Sequence, residues 1–392
     1  MSKLNNSRII IGVVIILNII GLVTIYSAGG SNYFFRELIW TILGIGILLA
    51  TVKIPVRLWE NFSIHIFILT FLLLVLVLIV GGGPANRWFD LGFFNFQPSE
   101  LAKVAIILFI AQRWAYKKIA FNMKDLLIPI VAALSYALLV LLEPDMGTGL
   151  IFLPVLAGMM FWHGISMFQI FLLFSPIFSF IFGFSIYLWI GYFVGFAIIT
   201  YRKTTVVSWL IALMTNILAG LSSPIIWANL KEYQKARIIG FLSPWLDPKG
   251  MSWNLIQSQI AVGSGRIFGK GFLSGTQKKL AFLPNRETDF IFSTLSEEFG
   301  FVGAILTLTL YFFLLYQIYK IAQKTQNEFA RLVAIGIFLV FSYQIIVNIG
   351  MVLGLLPITG IALPFLSYGG SSLIVSYLMI GLAIRIYKEN QL

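Results

Sequence analysis

One stretch of this chain, Trp253 to Gly303, gathers an aspartate, a row of cations and a run of glycines and hydroxyls in an otherwise apolar sequence. Asp289, in Glu287-Thr-Asp-Phe-Ile-Phe292, stands immediately before a hydrophobic segment. An acid at an apolar boundary is costly to ionise, so its pKa tends to rise, and such a carboxylate suits general-base work. A helix N-terminus, where the dipole favours negative charge, accounts for the same acid. The residue alone does not separate the two. Arg237, Lys249, Arg266, Lys270, Lys278, Lys279 and Arg286, with Trp245 and Trp253, fit either a phosphate-bearing ligand or ordinary lipid headgroups.

Gly265-Arg-Ile-Phe-Gly269-Lys270-Gly271 invites comparison with a nucleotide-binding loop. The spacing is short by one, no serine or threonine follows the lysine, and no strand precedes it. It reads instead as a tight backbone turn that presents Lys270. Glu100 and Lys103, three apart, share a helix face and read as an ion pair or a cavity wall. Glu143 and Asp145 flank a proline in a turn and read as turn acids on position alone. Gly354 to Ser372 carries no charge, two prolines and several glycines. Irregular backbone of that apolarity survives near a membrane only when buried in protein or lining a cavity. Ser371 is expected to cap the helix that follows.

The elements that must position these residues are membrane helices. The chain is 392 residues long, 59% hydrophobic and 11% charged, where a soluble domain carries about 25% charge. Its apolar runs reach the ~20 residues that cross a bilayer, and the alternating pattern of a membrane β-barrel is absent. The expectation is an all-α polytopic membrane protein forming a single integral domain over 1–392. With no cysteine, and with His65 and His163 far apart, disulfides, thiolate chemistry and a histidine metal cluster are excluded.

Spans are expected near Ile9–Tyr26, Glu37–Val52, Ile64–Val80, Glu100–Gln112, Leu126–Leu142 and Thr148–Trp162. Ser27-Ala-Gly-Gly resembles a cleavage site, but the long apolar run reads as an uncleaved helix. Residues 168–201 are too long for one crossing and read as a helical hairpin, with Gly183, Gly191 and Gly195 each offering a break. A span at Thr205–Ala228, a large polar loop at 229–298, and spans at Phe299–Ile321, Leu332–Val352 and Ser371–Ile386 complete twelve crossings. With both termini inside, most lysines and arginines of the short segments fall on the inner side, among them Arg113, Lys117, Arg202, Lys203, Lys320 and Arg385. That asymmetry explains the net charge of +12 without a nucleic-acid partner. It places the large loop outside, where no ATP is available and an enzyme must use an activated substrate such as a lipid pyrophosphate.

The motifs then resemble one family along nearly the whole chain and in order. These are Asn86-Arg-Trp88, Phe96-Gln-Pro-Ser-Glu100, Glu143-Pro-Asp-Met-Gly-Thr148, Ile256-Gln-Ser, Gly263-Ser-Gly, Gly269-Lys-Gly, Gly275-Thr-Gln277, Leu283-Pro, Thr288-Asp-Phe-Ile-Phe292, Glu297-Glu298 and Leu363-Pro-Phe-Leu-Ser-Tyr-Gly-Gly-Ser-Ser372. The sequence is similar to the shape, elongation, division and sporulation (SEDS) family, and to its RodA-type elongation branch more than its FtsW-type division branch.

The resemblance implies a ten-helix core, to which the 168–201 hairpin is an addition. It implies a peptidoglycan glycosyltransferase of the bacterial cytoplasmic membrane, polymerising lipid II on the outer face. Asp289 would be the general base. Trp88, Glu100, Lys103 and Asp145 would line or support a central cavity. Arg237, Lys270, Thr276, Gln277, Thr288, Ser367 and Ser371 join them as candidate substrate-binding or cavity positions. Implied partners are a class B penicillin-binding protein, elongation-complex membrane proteins and membrane lipid. A divalent cation, Mg or Mn, would help the leaving group, with no ligand set legible. Two departures fall beside the site: Asn285-Arg-Glu287 replaces a more usual Glu-x-His, and Arg266 a usual glycine. A lipid II flippase is the competing reading, although its polar sites belong near mid-membrane. A scaffold for the penicillin-binding protein would leave Asp289 without a task.

Overall fold

The computed structural model describes residues 5–82, 87–90, 92, 95–116, 123–230, 232–245, 250, 252–276 and 284–391. Among the described residues the chain forms fourteen helices and one two-stranded hairpin. In order these are α1 (Asn5–Gly29), α2 (Ser31–Lys53), α3 (Val56–Val80), β1 (Phe89–Asp90), β2 (Asn95–Phe96), α4 (Pro98–Ala115), α5 (Met123–Leu142), α6 (Met146–Trp162), α7 (Met167–Phe182), α8 (Ile186–Tyr201), α9 (Val206–Asn229), α10 (Glu232–Leu242), α11 (Trp253–Ser264), α12 (Ile291–Lys324), α13 (Glu328–Val352) and α14 (Gly370–Glu389). Each of the twelve expected spans is a helix, α1–α9 and α12–α14. Eight have the length and composition to cross a membrane; α6, α7 and α8 are shorter apolar helices. The chain is an all-α polytopic membrane protein.

The helices group into two compact units. In the first, residues up to His163 and from Ser243 onward, α14 packs on α2, α13 on α12, and α4 on α3. Pro98 opens α4 in the first turn, where its missing N–H is no loss. From Ala102 to Ala111 α4 is buried on every face, which is why a helix carrying charge persists at this depth. Small residues let the helices approach. A Cβ on Gly44 would stand 2.2 Å from the Tyr377 ring, and one on Gly381 would meet Thr51 at 2.9 Å. Ile42, Ile79 and Leu72, all more than half exposed, form the apolar exterior that lipid would cover.

The second unit is Gly164–Leu242, holding α7 to α10. The expected break in 168–201 falls at Gly183–Ser185, between two helices of 16 residues. Asn216 on α9 is its polar hub. Its Nδ2 donates to Ser175 Oγ at 2.8 Å, its carbonyl accepts from Ser179 Oγ at 2.6 Å, and its Oδ1 accepts from Tyr192 OH at 3.3 Å. Such satisfied polar groups hold helices together where lipid supplies no hydrophobic drive between them.

α12 is not one helix. Gly300 has φ 65 and ψ −163 and divides it into a short buried half, Ile291–Phe299, and a longer half. Asp289 therefore does not stand at the mouth of a membrane span, as its position before an apolar run suggests. It leads into a half-helix in which every residue from Ile291 to Glu298 is buried.

Candidate active site

Four consecutive residues before that half-helix are each tied to a different part of the first unit. Arg286 Nε donates to Ala28 O at the end of α1 at 2.8 Å. Glu287 O accepts from Tyr368 N at 2.9 Å. Thr288 O accepts from Ser367 Oγ at 2.7 Å, and Asp289 O accepts from Asn348 Nδ2 on α13 at 2.9 Å. These carbonyls lie outside regular structure, so side chains and loop amides satisfy them. Half-buried Asp289 lies against the loop 354–369. A Cβ on Gly360, which has φ +76, would be 3.4 Å from Asp289 Oδ2. Tyr33 hydrogen-bonds the Glu287 side chain, and its ring meets Tyr368 edge-on at 4.9 Å.

The same loop touches the turn between α5 and α6. A Cβ on Gly147 would lie 2.5 Å from Ile361 Cγ1 and 2.9 Å from Thr359 O. Asp145 caps α6, its Oδ1 accepting from Thr148 N at 3.0 Å. Its Oδ2 accepts from Gln97 Nε2 at 3.0 Å and lies 3.7 Å from Arg87 Nη1. Asp145 is thus a helix cap and an ion-pair partner at once. Glu143 is 1% exposed, and among the described residues neither of its carboxyl oxygens has a hydrogen-bond partner. Burial, reinforced by Asp145 and opposed by Arg87, pushes its pKa up to about 8.

Glu100 and Lys103 form the expected ion pair, Nζ to Oε2 at 2.7 Å, with both side chains buried. Ser371 does not cap the last helix. The N-cap is Gly369, without a side-chain cap; Ser371 Oγ instead donates to Asn95 O at 3.0 Å and accepts from Gln97 N at 3.3 Å. The hydroxyl lies inside the first turn and ties the hairpin to α14. Buried Glu37 takes up the free end, its Oε2 accepting from Gly369 N at 3.3 Å.

The glycines of 263–271 make the expected tight turn, with Gly269 at φ +80 and Gly271 at φ +97. They do so because backbone meets backbone at the Gly300 break. A Cβ on Gly269 would stand 2.1 Å from Glu298 O, and one on Gly300 2.2 Å from Gly269 N. Lys270 Nζ bonds Glu297 Oε1 at 2.7 Å and Thr276 Oγ1 at 2.6 Å. Glu297 Oε1 also accepts from Thr276 N at 2.8 Å, and Glu298 Oε1 accepts from Ser27 Oγ at 2.5 Å. Lys270 and Thr276 therefore meet Glu297, while Thr288, Asp289 and Ser367 form a separate group. Arg266 occupies a left-handed conformation at φ 49, and Asn285 another at φ 54. The first is a position a glycine fits better; the second suits asparagine.

The carbonyl of Trp88 accepts from Gly82 N, just past α3, at 3.0 Å. Arg237 lies on α10 in the second unit. Gln277, Lys249, Lys278, Lys279 and Asn86 lie outside the described residues. Sequence reasoning passed over Asn348, Gln97 and Glu37. Their signal was polarity within or beside apolar segments. Among the described residues no three His, Asp or Glu side chains gather into a metal-binding group, so the set does not fit a divalent cation and no step below runs through one.

An all-helical membrane bundle with a buried acid-bearing corner is a class shared by enzymes and transporters; comparison narrows it. The family model FTSW_RODA_SPOVE, described as cell cycle protein, matches residues 4–212 and 192–392. The chain belongs to this FtsW/RodA/SpoVE family, the SEDS family. It is 34% identical to peptidoglycan glycosyltransferase MrdB of Escherichia coli (strain K12), covering 94% of this chain and 90% of that one. It is 32% identical to peptidoglycan glycosyltransferase RodA of Treponema pallidum, covering 94% of each. Its fold is similar to the crystal structure of Thermus thermophilus rod shape determining protein RodA, with TM-score 0.66, 25% identity and coverage of 98% and 97%. It is also similar to a chain from a structure on the coordination of polymerization and crosslinking by a peptidoglycan synthase complex, with TM-score 0.75, 28% identity and 97% coverage of each.

Proposed function

We propose that this chain is a peptidoglycan glycosyltransferase of the elongation type, polymerising lipid II on the outer face of the bacterial cytoplasmic membrane, with both termini inside. The observation that carries the reading is Asp289. It is a carboxylate whose main chain is pinned by Asn348 and whose Oδ2 faces Gly360, in a chain 34% identical over nearly its whole length to a relative named for that activity. Asp289 takes the proton from the 4-hydroxyl of the acceptor sugar. The freed oxygen attacks the anomeric carbon of the donor, the bond to undecaprenyl pyrophosphate breaks, and α becomes β. Arg87 lies 3.7 Å from Asp145, on the turn whose Gly147 meets this loop, and it supports the leaving phosphates by charge. A class B penicillin-binding protein is the proposed partner, supported by the likeness to the synthase-complex chain.

The test supplies labelled lipid II to the protein purified with that partner. Glycan ladders are expected, and Asp289→Asn should reduce them by about 10²- to 10⁴-fold, the usual worth of a general base. Ladders that persist in that variant overturn the assignment. Lipid II scrambling in vesicles without polymer overturns the reaction in favour of a flippase.

A further inference from the structure

We propose that Asn348 is a positioning residue that sets the gap between Asp289 and the Gly360–Ile361 segment; the role rests on the reading of Asp289 as the base. Asn348 is 0% exposed, on a helix whose neighbouring Val347, Ile345 and Met351 are buried and apolar. An amide in such surroundings is costly unless bonded. Its Nδ2 donates to Asp289 O at 2.9 Å and to Ile361 O at 2.7 Å. Both acceptors are carbonyl oxygens, so only the nitrogen end can face them, and both of its hydrogens are used. Among the described residues the Oδ1 end has no partner, and the donor face holds the amide in place.

Neither carbonyl belongs to a helix or strand. Residues 284–290 form turns, and Ile361 lies in the irregular loop. One side-chain nitrogen therefore joins two segments that regular structure does not join. Ile361 directly follows Gly360, whose missing Cβ would lie 3.4 Å from Asp289 Oδ2. The clamp thus sets how far the carboxylate stands from the loop beside which the acceptor hydroxyl must arrive. Ser367 Oγ to Thr288 O, at 2.7 Å, makes a second tie one residue earlier, so losing Asn348 shifts the carboxylate without releasing the whole strap.

The experiment compares wild type, Asn348→Leu, Asn348→Ser and Asp289→Asn, each purified with the partner, by steady-state lipid II polymerisation across pH. Leucine matches asparagine in size and donates nothing; serine retains one donor. Asn348→Leu should lose turnover on the order of 100-fold, the cost of roughly 1 Å of misplacement, with the KM for lipid II little changed. The acid limb of its pH–rate profile should move, because a displaced Asp289 meets a changed environment; Glu287, with its Tyr33 partner, is the neighbouring acid on the strap. Asn348→Ser should fall between, and it carries the test alone if the leucine variant fails to purify with its partner. Rates within about twofold of wild type for the serine or leucine variant overturn the proposal. So does a rate lost in proportion at every pH, which would report only less folded enzyme. An active Asp289→Asn overturns the base reading beneath it, whereas an inactive one beside fully active Asn348 variants overturns this inference alone.

Discussion

Lys270 and Asp289 lie in the same polar stretch and look equally fit for chemistry in the sequence, yet they join different parts of the structure. Lys270 meets Glu297 and Thr276. Asp289 has its backbone bound by Asn348 and lies beside Gly360. One residue belongs to the acidic end of the half-helix and the other to the loop 354–369. A cation beside a candidate site is thus no measure of pyrophosphate binding until its counter-charge is known. Glu297, 1% exposed, is the counter-charge here, and it ties Lys270 to the end of the half-helix.

The contrast is broken most sharply at Lys270. Replacing it with methionine leaves a buried carboxylate without its cation, and stability should fall by about 2–4 kcal/mol. Thermal unfolding measures this, and the double variant with Glu297→Gln should recover much of the loss. A Lys270→Met protein that melts like wild type but polymerises poorly would move Lys270 to the substrate side.

Glu143 sharpens the contrast from a third direction, as a buried acid whose desolvation outweighs the charge of nearby Arg87. Its folded pKa, raised to about 8, lies above the usual unfolded carboxylate value of about 4.3. Between those values the folded state holds a proton that the unfolded chain has released. Its stabilising contribution is therefore full below the unfolded pKa and is lost as pH rises toward 8. Melting of Glu143→Gln against wild type should show a difference near zero at pH 4 that favours the variant increasingly up to pH 8; a flat difference refutes the buried neutral acid. The smallest effect belongs to Arg266→Gly. Relieving a left-handed φ of 49 should raise stability by up to about 1 kcal/mol, with polymerisation unchanged, and a lower melting midpoint would show that the arginine side chain matters more than the strain.

The helices were legible because lipid imposes a length and apolarity that composition reports directly. The hairpin break at Gly183 and the turn at Gly269 were also legible, glycine being the punctuation in each. Of the candidate site, the Glu100–Lys103 ion pair was legible from charge in apolar surroundings, whereas Asp289 stood out only through the motif resemblance. The Gly300 break was not, because glycine inside an apolar run is common and only the meeting with Gly269 demands it. Nor was the role of Ser371: a serine at a helix start fits a cap, and its actual partners, Asn95 and Gln97, are distant in sequence. Asn348 carried a usable signal, a buried amide in an apolar span, whose partners only the tertiary fold supplies.

The half-helix Ile291–Phe299 has a consequence for how this protein is assembled. A segment with Glu297 and Glu298 at its end is a poor substrate for insertion into lipid, where each acid costs about 3 kcal/mol; the half after Gly300 inserts readily. In the folded protein Ser27 of α1 and the Lys270–Thr276 turn receive those two carboxylates, so burial of the acidic half depends on both elements. Asp289 lies one residue before its N-cap, Phe290, so the setting of the candidate base depends on α1 and the turn as well as on its own segment.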